Sequence, residues 1–439
     1  MFNVTRRKSV VVLMLLMLAL LLTSPWASAP VPEEVPQRSP EDAGDTAVEP
    51  AFAERPASLE IKIISDETAF RLLERQSDQL ARLHPDMHVE LTRLDPADGA
   101  GLLEDWRHGA EGTDVALVPS AWVKRLAVRG DLLTADAAFE GDALSQQFDG
   151  IKAQAKWNGF MWGVPHHLDP YVIVWNRARL SALARPDGSA MTLPLSGMDW
   201  TVLGAGLAQQ NARQWLAIDE ADPGALLAWL SAATGMRSER LLLGEAGDWT
   251  AGQAVSLMET LGATAGPLPR PVSDASFWQA LASGQYAAAV MRQSAAAEGI
   301  AELGRNEAAG LSIDRSGWNK PYTFDAGASF VIDARTEEKE AAKAWIAGMT
   351  TEPLQLDNYA ALGVLPVYRS AYAAHHELPA LSAQSGQQFP NWEPNAAPDW
   401  PRRMEKLRSL WSEWRQGRLA LADWPSRWSE LLADLELHD

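Results

Sequence analysis

Trp157-Asn158-Gly159-Phe160-Met161-Trp162-Gly163-Val164-Pro165-His166-His167-Leu168-Asp169-Pro170-Tyr171-Val172-Ile173-Val174-Trp175-Asn176 is the stretch on which the fold turns. Asn158-Gly159 favours positive φ at both positions and so predicts a tight hairpin. Tyr171 to Trp175 is aromatic and β-branched, and too short for a helix, so it predicts a buried strand. Between them lies a polar break, His166-His167-Leu168-Asp169-Pro170, in otherwise apolar chain. A segment that leaves one lobe, passes a cleft and enters another would carry this pattern.

Upstream, Leu59 to Ile64 alternates and then runs apolar, which predicts a strand. Ser65 or Asp66 can cap the helix that follows, where Phe70, Leu73, Leu80, Ala81 and His84 fall at helical spacing. His84-Pro85 ends it, and His88 to Leu94 alternates again as a second strand. Strand, helix and strand of these lengths make a βαβ unit in a parallel sheet. Asp114-Val115-Ala116-Leu117-Val118-Pro119 predicts a third strand, followed by Ser120-Ala121-Trp122 and a short helix ending at Gly130. Open α/β sheets bind ligands beyond the carboxyl ends of their strands, where Asp66, Ser120 and Trp122 fall. Each also has a plain structural reading: Asp66 and Ser120 as helix caps, Trp122 as core.

Gly159, Trp162, Gly163, Pro165, Trp175 and Asn176 make the opening stretch resemble the hinge crossing of extracellular solute-binding proteins that serve ABC importers, the family of the maltose-type binders. Further segments resemble the same family in order. They are the helix, turn and strand from Phe277 to Met291, the Gly-containing strand from Phe324 to Ile332, Lys339 to Ile346, and Gly363 to Ser370. The resemblance spans about residues 59–435. It implies an α/β, two-lobed, periplasmic-binding-protein-like (type II) fold with discontinuous lobes and hinge crossings near 168, 325 and 365. The N-lobe would comprise 59–168 plus 325–365, and the C-lobe 169–324 plus 366–439.

The same resemblance implies a non-enzymatic monomer that closes on a small solute, a sugar or oligosaccharide, and delivers it to the transmembrane subunits of an ABC permease. One departure bears on the ligand. Sugar binders often continue the strand ending near Met291 into Gly-Pro-Trp, whose Trp can stack on the ligand; here Arg292-Gln293-Ser294 stands instead. A membrane-tethered ligand-sensing or structural ectodomain of the same fold is the alternative, and a secreted hydrolase a third reading. The residues expected at the cleft are Asp66, Ser120, Trp122, His166, His167, Asp169, Tyr171, Trp318 and Asp325. Aromatic faces would stack on the solute while Asp and His bond its hydroxyl or amine groups.

Composition narrows the rest. A chain of 439 residues is too long for one small core. Its 19 Trp are expected partly in contact surfaces. The absence of Cys removes disulfides, thiol chemistry, Cys-based zinc sites and lipid attachment through a lipobox Cys. A net charge of −19 repels phosphate backbones and argues against nucleic acid. Arg6-Arg7-Lys8, the apolar run Val10 to Leu22, and Ala27-Ser28-Ala29 have the three regions of a secretory signal. Pro30 directly after them hinders cleavage, so residues 1–29 read either as a cleaved signal peptide or as a retained anchor that associates with the membrane. Both place the protein outside the cell membrane or in the periplasm. Residues 30–58, with six Pro and seven acids, read as a disordered linker.

Residues 177–275 read as mostly helical. Gly204-Ala205-Gly206 lacks the third glycine of a dinucleotide fingerprint, so no cofactor is expected. The His pairs 166–167 and 375–376 diverge on strand or helix and chelate poorly by themselves.

Overall fold

Leu59, Ile61 and Ile63 are the buried face of β1 (Ala57–Ile64), which begins two residues before the expected strand. Asp66 starts α1 (Glu67–Leu83) by accepting from the Ala69 amide at 2.8 Å. β2 (Met87–Leu94) returns parallel to β1, in register from Ala57↔Met87 to Ile64↔Leu94. The βαβ unit expected from periodicity is therefore present. β3 (Val115–Pro119) pairs with the other edge of β1. A 3-10 turn, Ser120–Trp122, and α2 (Val123–Arg129) follow, and Gly130 at φ 79° ends the helix. β4 (Leu132–Leu133) closes this edge.

The computed structural model describes residues 56–436 apart from 97–112, 140–142, 184, 186, 196–198, 201, 204–214, 220–221, 237, 244–248, 250–253, 265–273, 320–326 and 380–396. The chain divides into two units, Met1–Arg55 and Pro56–Asp439, and the described residues belong to the second. The signal or anchor, most of the linker, Gly204-Ala205-Gly206, Asp325 and the chain crossing expected near it lie outside the described residues. No helix among those described is long and apolar enough to cross a membrane.

β5 (Lys156–Trp157) and β6 (Phe160–Met161) form the predicted hairpin, with Asn158 at φ 48° and Gly159 at φ 88°. β7 (Val164–His167) then joins the first sheet, and β8 (Tyr171–Asn176), buried along its whole length, enters a second. That second sheet is completed by β9 (Leu216–Ile218), β10 (Ala288–Arg292) and β11 (Leu311–Asp314), in the order β11-β8-β10-β9. Helix α3 (Pro223–Thr234) follows β9 and α4 (Gln293–Glu302) follows β10. The chain returns to the first sheet in β12 (Ala328–Asp333), which lies between β3 and β4 and also pairs with β7.

After β12, α5 (Lys339–Met349) buries Trp345, Ile346 and Met349 against the first sheet, with Leu59, Ile61 and Phe330. Its first residue is Lys339, and Thr336 is engaged ahead of the helix. The Thr336 hydroxyl donates to Asp114 and accepts from the Glu338 amide. α6 (Glu352–Leu362) ends at Gly363, φ 72°, where a Cβ would lie 2.7 Å from that of Ala297 in α4. Leu365 then pairs with Leu168, while Val367 and Tyr368 enter the second region's core beside Val172 and Val174.

The closing helices α7 (Trp400–Arg415) and α8 (Trp424–Glu436) bury Trp400, Trp411, Trp424 and Trp428 with Trp175, Trp200, Trp215, Trp229 and Trp249. Tryptophan abundance is thus chiefly a matter of core: eleven of the 19 are among the fully buried side chains. Trp157 at the hairpin is the exposed exception among the described tryptophans.

Candidate functional site

Leu168, Asp169 and Pro170 carry the chain from β7 to β8, so the polar break lies where one sheet hands over to the other. Pairing sets its geometry. Arg292 at the end of β10 is the antiparallel partner of Tyr171 at the start of β8. His167 at the end of β7 is opposite Ala328, which also faces Pro119 across β12. Strand ends from both sheets therefore bring ionisable side chains to one place.

On the second-sheet side the groups are charged. Asp169, 5% exposed, accepts from the Ser294 amide at 2.9 Å and from its hydroxyl at 2.6 Å. Burial pushes the Asp169 carboxyl pKa up; the Arg292 charge and the Ser294 bonds work against that rise. The Tyr171 hydroxyl donates to both oxygens of Asp222, 2.7 Å from each. Burial first, and the Asp222 charge second, put the Tyr171 pKa far above the usual phenol range. Asp222 also caps α3 through the Gly224 amide at 3.0 Å, and lies 3.4 Å from Arg292 Nε. Burial opposes the Arg292 charge, but Tyr171, Asp222 and Asp169 outweigh it and keep the guanidinium ionised. Arg292 remains about half exposed.

On the first-sheet side the groups are neutral. His166 Nδ1 lies 2.8 Å from His167 Nδ1, and His166 Nε2 lies 3.2 Å from Asn358 Nδ2. Asn358 Oδ1 in turn accepts from Gln76 Nε2 at 2.9 Å. Burial, with His167 adding to it, drives the His166 pKa well down. Burial and then the Arg292 charge push His167 down to about 4. The Phe330 ring packs edge-on to His166 at 5.0 Å.

His166, His167, Asp169 and Tyr171 are thus brought together at the crossing. Trp318 joins them as a support: 4% exposed, it donates from Nε1 to the Tyr171 carbonyl at 2.9 Å. Its ring carries the Arg315 guanidinium 5.5 Å from the centroid, and Arg315 Nε donates to Gln293 at 3.1 Å. Ser120 is buried, with its hydroxyl 2.8 Å from that of Ser329 in β12, and Trp122 is half-buried beside it. Asp66 is exposed and engaged as the cap of α1. Among the described residues no group of three His, Asp or Glu is placed to hold a metal ion.

Five participants escaped the reading of the sequence: Gln76, Asp222, Arg292, Ser294 and Asn358. Arg292 and Ser294 had a signal, since they stand where a Gly-Pro-Trp is often found. Asp222 before Pro223 is legible only as a helix start. Gln76 and Asn358 lie inside helices with nothing local to mark them.

A family model described as bacterial extracellular solute-binding protein matches residues 89–384. No curated protein matches the chain. Solved structures share its fold. The GacH receptor of Streptomyces glaucescens GLA.O is 17% identical, with TM-score 0.66, covering 86% of this chain and 98% of its own. The sugar-binding protein MalE from Xanthomonas citri is 16% identical, with TM-score 0.65, covering 87% and 98%. Maltose-bound MalE3 of T. maritima is 14% identical, with TM-score 0.64, covering 86% and 100%. The chain therefore belongs to the bacterial extracellular solute-binding protein family.

Proposed function

We propose that the protein captures a sugar or oligosaccharide between two lobes and delivers it to the transmembrane subunits of an ABC permease at the outer face of the cell membrane or in the periplasm. The observation that carries the site is the polar cluster of His167, Asp169, Tyr171 and Arg292 at the handover between sheets. The lobes would be 59–168 plus 325–365 and 169–324 plus 366–439, acting as a monomer. Solute contacts from both would stabilise the closed state over the open one. The choice of ligand is supported by proteins of like fold solved with acarbose, with maltose and with D-mannitol. Asp66, Ser120, Trp122 and Asp325 complete the proposed site from the first lobe, with His166 and Trp318 behind it.

The test is a thermal-shift screen of the purified protein against mono- and oligosaccharides and polyols. A native-state ligand raises the melting temperature by mass action, by an amount that grows with concentration. Asp169→Asn should weaken the stabilising solute tenfold or more. An unchanged affinity in that variant removes Asp169 from the site, and a screen without any stabilising carbohydrate removes the proposed ligand class.

A further inference from the structure

One nitrogen at the crossing has no partner among the described residues, and the buried chain behind it determines what that nitrogen can do. Gln76 Nε2 lies 2.9 Å from Asn358 Oδ1. In this orientation of the two amides Gln76 donates to Asn358 Oδ1, and Asn358 turns its Nδ2 toward His166 Nε2, 3.2 Å away. An amide NH2 only donates, so His166 Nε2 must accept. The proton of this neutral ring therefore sits on Nδ1. From there it is donated across 2.8 Å to His167 Nδ1. His167, accepting at Nδ1 and also neutral, must carry its own hydrogen on Nε2.

Gln76, Asn358 and His166 are all buried, so water does not compete for these bonds. His167 is only half-buried, and its Nε2 has no partner among the described residues. Arg292 is the charged group that acts on His167, and Tyr171, Asp222 and Asp169 act in turn on Arg292. The two carboxylates are already engaged: Asp169 by Ser294, and Asp222 by Tyr171, Gly224 and Arg292. Beside these engaged carboxylates the crossing presents two donors outward, the imidazole N–H and the half-exposed guanidinium.

We propose that His167 binds the solute as an Nε2–H donor whose direction is imposed by Gln76, Asn358 and His166, and that with Arg292 it selects a polyhydroxylated solute presenting an acceptor-only oxygen, as a sugar acid does. This rests on the solute-binding reading above. Gln76, Asn358 and His166 are positioning residues; His167 alone of the four touches the solute.

Imidazole 15N chemical shifts in the unliganded, labelled protein test the direction without any ligand. His166 Nδ1 and His167 Nε2 should have the shifts of protonated nitrogens at pH 7, and His166 Nε2 and His167 Nδ1 those of bare ones. The reverse pattern, or titration of either ring near pH 6.5, overturns the proposal. Asn358→Asp offers an acceptor at both oxygens, so it should move the His166 proton to Nε2 and leave His167 Nε2 bare. Galacturonate should stabilise the wild type more than galactose does. Both Asn358→Asp and His167→Phe should lower galacturonate affinity about tenfold, the worth of one hydrogen bond of ordinary to charge-assisted strength. Equal stabilisation by the two sugars, or unchanged affinity in His167→Phe, overturns the selection. If the tautomers are as derived but no carbohydrate stabilises the protein, the solute reading fails. Reversed tautomers with a sugar response intact defeat only the present inference.

Discussion

His166 and Asp169 are three residues apart, on either side of Leu168, yet they are buried by opposite means. On the first-sheet side, two amides and two imidazoles form one hydrogen-bonded chain with no net charge. On the second-sheet side, Asp169, Asp222 and Arg292 keep their charges close together, held by Ser294, Tyr171 and the start of α3. The neutral chain runs inward through α1 and α6, where no counter-charge is present among its partners and a proton would be costly. The charged cluster lies at strand ends, where Arg292 is half exposed and water shares the burden. A crossing between sheets can thus be polar on both sides while only one side carries charge.

The largest expected effect comes from breaking the charged side. Asp222→Ala removes the partner of Tyr171 and Arg292 and the cap of α3 together, and should cost about 3 kcal/mol. Urea unfolding measures it; a loss under about 1 kcal/mol would mean that the cluster contributes little to the fold.

Acid breaks the neutral side. His167 stays unprotonated in the folded state down to about pH 4, whereas in the unfolded chain it takes up a proton near pH 6.5. The unfolded state then binds more protons, so stability falls as pH drops through that window, by about 2–3 kcal/mol from this residue. His166, also shifted down, adds in the same direction. Asp169 has the opposite sign: its raised pKa makes the folded state hold a proton longer, so its contribution improves on acidification. Melting curves from pH 7 to 4 should therefore slope steeply in the wild type and flatten in a His166→Gln, His167→Gln double variant. Equal slopes would place the acid sensitivity elsewhere.

The smallest effect sharpens the contrast by separating a cap from a site. Asp66→Ala should cost about 1 kcal/mol, the usual worth of an N-cap. If solute affinity is unchanged, Asp66 serves only α1; if affinity falls as well, it belongs to the cleft.

Much of this architecture could be read before any coordinates. The strand at Tyr171–Asn176, the βαβ unit of β1, α1 and β2, and the hairpin at Asn158-Gly159 each follow from spacing or turn chemistry within a few residues. β9 and β11 are not legible in the sequence, for a physical reason. Strands of three and four residues are shorter than the window over which a period can be recognised, and β9 lies in Ala- and Leu-rich chain that otherwise favours helix. At the site, the residues within the crossing segment were legible and their partners were not.

Sequence alone determined where the chain turns, which stretches are apolar enough to be strands, and that a polar segment interrupts them, because those properties depend on neighbours in the chain. Only the tertiary structure decided that Ser294 holds Asp169, 125 residues away, and that Asn358 meets His166 across 192 and Gln76 across 282. A hydrogen-bond partner is selected by distance in space, and strand pairing brings such positions together without leaving a local mark on either one.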